Sequence, residues 1–589
     1  MRAFAKVLCL FLFAGAATAA EAPTWVKESN EHSLVLLHAI GRFAPEYMSY
    51  LGVEGYDDKA SDLGPNLYQR QRAAGEKTIK ELKARLAKAG DPAVRQDLEI
   101  LILSAQDNLE SARLQYELTV PYFGASKLAF QGIRTLLDPR ISKERQAHAV
   151  MRLKRYAGMA PGSEPIARLA RQRTEERLRD KKLLRPFKGE LEQDLNDTPS
   201  LLKGLRELLA GSGLDGWQAA MDALDQQLTG YDAWVRDTLL PQARTDHRLP
   251  EALYADNLKQ FGVDIPPDEL VERALFSFTE IRSEMSTLAP LVAKAQKIKS
   301  TDYRDVIREL KKKQATGKAI LPLFEQRNAR LEDMIRREKV VTLPERKAVI
   351  RLASEAESAM SPAPHMQPPR LIGNTGEYGE FVLPLVVPTK GGEGLRMDDF
   401  THEAGSWSLT AHEARPGHEL QFSVMVEKGI STARAVFAFN SVNVEGWGLY
   451  AEAEMKPYLP LEGQLCSLQF RLQRAARAFL DPMVNLGRIA PEQAKAFLME
   501  EVVLSEAMAQ QEVDRYTYRA PGQATSYFYG YQRLLETRQR AEIALRDKFD
   551  RRAFNDFVLS QGLLPPALLE KAVMEEFVGA PSGATKKGV

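Results

Sequence analysis

Apolar side chains recur at three- and four-residue steps through most of this chain, the period of a helix with one buried face. The clearest stretch is Arg95 to Leu118, RQDLEILILSAQDNLESARLQYEL. Similar stripes run through 144–158, 201–210, 217–240, 268–296 and 321–338, and each predicts a helix packed into a core. Pro and Gly break the pattern at joints such as Ala160-Pro161-Gly162 and Ile265-Pro266-Pro267. The stripes follow no fixed repeat. Between 340 and 400 the pattern changes, with Val340-Val341, Pro362, Pro364, Pro368-Pro369 and Gly391-Gly392. Residues 380–387 read as a strand, and Pro384 inside it predicts an edge strand, because proline cannot donate to a ladder. Helical pattern returns from 403 and continues to 575.

A length of 589 residues exceeds the ~250–300 at which single cores stop growing, so two lobes are expected. The change of pattern places an N-terminal helical lobe at 21–340 and a second lobe at 341–578. The tail 579–589, ending Lys586-Lys587-Gly588-Val589, is expected to be disordered. The fold class is mainly α with a small β element.

The first twenty residues have a pattern of their own. Arg2 and Lys6 precede an apolar run from Val7 to Ala17, and Thr18-Ala19-Ala20 precede Glu21. A positive head, a short apolar middle and small residues describe a secretory signal, here residues 1–20. The run is too short to cross ~30 Å of hydrocarbon, and no Cys follows the small residues to take a lipid. The mature form is expected in the periplasm or outside the cell, without a stable membrane anchor. Cys9 leaves with the signal, so Cys466 stands alone and reads as a small buried apolar residue. Lys and Arg total 80 against 79 Asp and Glu, and a net charge of +1 gives no footprint for nucleic acid. Oligomeric state is not legible.

The chain has eight His, and four of them, His365, His402, His412 and His418, fall between 365 and 418. The informative string is Thr410-Ala411-His412-Glu413-Ala414-Arg415-Pro416-Gly417-His418-Glu419-Leu420-Gln421, followed by Asn443-Val444-Glu445-Gly446-Trp447-Gly448-Leu449-Tyr450-Ala451-Glu452. Two imidazoles and one carboxylate leave a zinc ion a fourth position for water. A second carboxylate beside the first His can take the proton of that water. The strings offer His412, His418 and Glu445 as ligands of one Zn2+ and Glu413 as general base. Glu452 follows Glu445 by seven residues on the same helical face, where it orients a ligand or itself binds metal. The two His are six apart, and on a straight helix their rings would diverge by ~120°. A kink or bulge at Arg415-Pro416-Gly417 is therefore required. His402-Glu403 and His365 read as structural.

These strings resemble bacterial domain-of-unknown-function family 885. His-Glu-x-x-Pro-Gly-His with a following Leu-Gln, then Glu-Gly-Trp-x-Leu-Tyr-x-Glu, carries the resemblance. It is joined by Asp514-Arg515-Tyr516, Pro521 to Tyr527, Gly530 and Arg538, and near the start by Leu51-Gly52, Tyr56-Asp57-Asp58 and Asp62. The family looks related to gluzincins, zinc peptidases with a glutamate as third ligand. The resemblance covers about 40 to 575 and implies two helical lobes flanking a deep cleft, similar to helical gluzincin oligopeptidases and carboxypeptidases. By analogy, the strand at 380–387 would take an extended peptide by strand addition. The sequence departs from the family at Glu419, where a second His often follows, and at Arg415, often aromatic.

In the third string, Tyr527, or second Tyr531, is expected to stabilise the oxyanion of amide hydrolysis. Arg515 or Arg538 would bind a substrate carboxylate. The combined reading is an exported zinc-dependent hydrolase of peptide or peptide-like amide bonds. Two alternatives stay open: a metalloenzyme acting on a non-peptide or modified amino-acid substrate, and a catalytically silent binding protein.

Overall fold

The computed structural model describes residues 23–579, except 355–356, 359–360, 362, 375 and 385–397. The signal segment therefore lies outside the described residues, as do 580–589 of the tail and the far end of the expected strand.

Helices form where the stripes predict them. The stretch at 95–118 is the helix Pro92–Leu118, started by Pro92 in its first turn and by the Asp91 carboxylate, which accepts from the Ala93 and Val94 N–H groups. The other stripes become Lys143–Tyr156, Lys188–Gly211, Gln218–Trp234, Pro267–Gln296 and Ile320–Glu338. In the second half the main helices are Ser406–Glu413, His418–Lys428, Ser441–Met455, Leu461–Asn485 and Ser526–Leu545.

The cores do not divide at residue 340. One cluster, from Leu63 to Leu239, belongs wholly to the first half. The largest cluster instead joins Tyr254 to Leu310 with Ala404 to Tyr529. The Pro267–Gln296 helix lies along Leu461–Asn485, with Phe278 edge-on to Phe479 at 5.5 Å. Aromatic pairs in this geometry add about 0.5–1.5 kcal/mol beyond the area they bury.

The small sheet has the order β1-β3-β2, with β1 Val349–Leu352, β2 His365–Gln367 and β3 Glu380–Leu383. β3 runs parallel to β1 and antiparallel to β2. The expected edge strand is thus the central one. Pro384 lies just beyond its last paired residue, so the missing N–H is needed nowhere in the ladder. With both sides of β3 paired, strand addition to residues 380–383 is ruled out; the edge strands are β1 and β2. His365, read as structural, sits on β2. Phe381 and Leu383 pack with Phe324, Leu409 and Ala414, which fixes the sheet against the Ser406–Glu413 helix.

A cavity of about 1450 Å³ opens between helices of the first half and this sheet. Tyr47, Tyr50, Tyr122, Gln367, Glu380 and Tyr518 are among the residues that line it.

Candidate metal centre

Every residue of the Ser406–Glu413 helix is buried, although Ser, Thr, His and Glu make up most of it. Buried polar side chains in such density mark a site rather than a core. The helix stops at Ala414, whose φ of −101° and ψ of −105° are not helical. The Arg415–Pro416 peptide is cis, and a new helix begins at His418. The required kink is therefore a full break. It sets the two rings at 83° to one another with centroids 4.6 Å apart.

His412 Nε2 and His418 Nε2 lie 3.1 Å apart, and Glu445 Oε2 is 3.4 Å from each. Ligands ~2.0–2.1 Å from a tetrahedral zinc are separated by roughly 3.3–3.4 Å, so one point just off this triangle suits all three. Glu445 Oε2 is buried and makes no hydrogen bond. Among the described residues this is the group able to hold a metal ion. The donor set fits zinc, with a fourth position left over. Burial works against charge on His412, but Glu445, Glu452 and Glu413 outweigh it and push its pKa up to about 9. Burial alone would raise Glu445, yet contact with both imidazoles holds it well below the usual carboxylate range. The centre favours a cation.

Glu445 arrives from another helix, and two close approaches bring it in. A Cβ on Gly448 would stand 2.6 Å from His412 Cε1, so the bare backbone makes room for the ring. At Gly446 and Gly530 two helices cross backbone to backbone: a Cβ on Gly530 would stand 1.9 Å from the Val442 carbonyl oxygen. The crossing puts Tyr527, one turn before Gly530, over His412, with rings stacked at 6.2 Å and 20°.

Glu452 lies on the other nitrogen of His412: its Oε1 accepts from Nδ1 at 2.8 Å and from Arg474 at 3.2 Å. It therefore orients the ring and leaves Nε2 for the ion. Glu413 Oε2 accepts from the Met366 N–H of β2 at 2.9 Å. Glu419 turns away from the centre. Its fully buried carboxylate meets Arg415 at 2.9 Å and Arg346 at 2.7 Å, and Arg415 also holds Glu332 at 2.7 Å. The two departures from the family pattern thus pair with each other.

Burial and then Glu445 raise the Tyr527 phenol pKa, while the charges of Arg515, Arg477 and Arg474 oppose them. Two expected residues are not brought to the centre. The Tyr531 hydroxyl accepts from Arg471, which also pairs with Glu284, and its ring packs against the core around Trp447. Arg538 is spent on Glu454 at 2.5 Å, Glu542 at 2.7 Å and the Tyr450 hydroxyl, because it lies three turns beyond Tyr527. His402 is fully buried, accepts from the Gly405 N–H and is driven down to about 4 by burial, which suits a structural role. Cys466 is buried, and burial pushes its thiol up to about 12.

Sequence reading missed Arg474, Arg477 and the Met366 N–H. The arginines had a signal: Arg471, Arg474 and Arg477 recur at three-residue steps between Phe470 and Phe479, in a helix whose other residues there are apolar apart from Gln473. The backbone donor had none. It reaches Glu413 only because the sheet packs there.

Two solved structures share the fold. A proposed lipoprotein from Colwellia psychrerythraea superposes with a TM-score of 0.75 at 18% identity, covering 95% of this chain and 100% of its own. A proposed lipoprotein of unknown function from Shewanella oneidensis gives 0.71 at 18%, covering 94% and 100%. Among curated proteins none matches. The family model described as "Bacterial protein of unknown function (DUF885)" matches residues 45–573, nearly the whole described chain including all three strings, and the chain belongs to that family.

Proposed function

We propose that this protein is an exported zinc-dependent hydrolase of peptide or peptide-like amide bonds. The observation that carries the reading is the buried triangle of His412, His418 and Glu445 with Glu413 next to it in sequence. A zinc ion bound there would bring the pKa of a water toward ~7. Glu413 takes a proton from the attacking water and passes it to the leaving amine, held in place by the Met366 N–H. Tyr527 offers a phenol O–H to the oxyanion of the amide. The cavity reaches Gln367, the residue after Met366, and supplies room for a substrate chain. Export is supported by the leader-like start and by neighbours described as proposed lipoproteins. No helix among the described residues is long and apolar enough to cross a membrane.

Purified protein is expected to contain one zinc per chain, and Glu413→Gln to keep it while losing ~10²–10⁴-fold in turnover. Metal analysis and peptide hydrolysis together decide. Full activity in the variant removes Glu413, and a wild type that binds zinc but hydrolyses no amide removes the hydrolase.

A further inference from the structure

Three guanidiniums gather at Tyr527. Arg477 Cζ lies 4.6 Å and Arg474 Cζ 5.7 Å from its ring centre, and Arg515 opens the π-helical turn Arg515–Arg519 that precedes it in the chain. Two carboxylates answer them. Glu452 takes Arg474 at 3.2 Å. Glu512 takes Arg477 through two bonds of 2.8 and 2.6 Å and accepts from the Tyr516 hydroxyl at 3.1 Å. Both oxygens of Glu512 are therefore engaged before Arg515 is reached. Arg515 stays 3.8 Å from Glu512, and its nearer acceptor is the neutral Gln523 Oε1 at 3.4 Å. The other carboxyl nearby, Asp481, is occupied by the Gly522 N–H, the Tyr254 hydroxyl and the Asn485 amide. Arg515 is also 23% exposed, while Arg474 and Arg477 are nearly sealed at 9% and 5%. Arg515 is thus the most loosely paired of the three and the most exposed, and its charge acts on the Tyr527 phenol.

We infer that Arg515 binds the free C-terminal carboxylate of the substrate, so that the enzyme releases residues from the carboxyl end of short peptides. The inference rests on the hydrolase reading above. A guanidinium offers two parallel N–H donors that match a carboxylate, and an amide end cannot answer its charge. An acidic side chain carries the same group, and the test separates the two sources.

Binding is measured by titration calorimetry on zinc-loaded Glu413→Gln protein, which holds peptides without cutting them. The probes are N-acetyl-trialanine, its C-terminal amide, and N-acetyl-Ala-Asp-Ala amide. The free acid is expected to bind at least ~10-fold tighter than either amide, as a charge-assisted two-point contact requires. Arg515→Met in the same background is expected to abolish the difference, and Arg515→Lys to restore part of it. If Arg515→Met does not fold, the acid-to-amide ratio in the Glu413→Gln protein decides alone. Equal binding of acid and amide, binding of none of the three, or a preference that survives in Arg515→Met overturns the assignment. Tight binding of the Asp peptide amide overturns the end-specific form. Wild-type hydrolysis of acid and amide at equal rates would sink the Arg515 role and leave the hydrolase standing. A clear acid preference in binding with no hydrolysis of any probe would do the reverse.

Discussion

Two carboxylates flank His412 with different tasks. Glu445 shares its Nε2 side with His418, and Glu452 holds Nδ1. Removing an orienting carboxylate of this kind typically costs 10–100-fold in metal affinity. Glu452→Ala is accordingly expected to bind zinc more weakly by that factor, read by competition with a chelator, while the three ligands remain. Asp481 gives a separate residue-scale prediction. Burial raises its carboxyl from the usual 3.8 to about 7, against the donors around it. Between those pH values the folded state keeps a proton that the unfolded chain has lost, so this group's contribution falls as pH rises through that window. Asp481→Asn carries no such proton. Its melting temperature relative to wild type is expected to improve from about pH 5 to about pH 8, as thermal unfolding at the two values would show. Glu413, His412, His418 and Glu445 were legible as a set because their residue types and order are rare together. Arg538 and Tyr531 take other partners, because a Tyr or Arg in a helical string says nothing of its rotation about the axis.

Elements meet at the centre through glycines. Gly448→Ala adds a Cβ 2.6 Å from the His412 ring, which must turn, and zinc affinity is expected to fall at least ~10-fold with the fold retained. Gly530→Ala meets a carbonyl oxygen at 1.9 Å, and backbone cannot give as a side chain can. The two helices must part, at a cost of about 1–3 kcal/mol or more. Melting temperature and zinc content are expected to fall together there, whereas Gly448→Ala changes mainly zinc. A glycine inside a helical pattern is a general sign of such an approach. The sequence did not say what approaches. The sheet shows the opposite limit: Pro384 was read correctly as unfit for a paired position, and incorrectly as evidence of an edge, because the strand ends before it.

At the scale of the molecule, the helices from Tyr254 to Leu310 belong with the C-terminal core. A fragment ending at 340 would expose the face of Pro267–Gln296 that carries Phe278, Ile281 and Met285. A fragment ending near 247 keeps the Leu63–Leu239 cluster whole. The shorter piece is expected to be the more soluble and the more protease-resistant on expression. Greater solubility of the longer piece would restore the boundary at 340. Composition shifts located a change of local structure, which is what composition reports, and the packed cores run across it.

The sequence by itself determined the helices, their apolar faces and the roster of candidate metal ligands, because periodicity and residue chemistry are local properties. Tertiary structure decided which nitrogen of His412 faces His418 and Glu445, that Glu419 turns to Arg415, that β3 lies in the middle of its sheet, and that Arg515 is the most loosely paired arginine of its group. Most of these depend on what another element brings near, forty residues on for His412 and Glu452 and thirty-five for Arg477 and Glu512, and no local pattern encodes that.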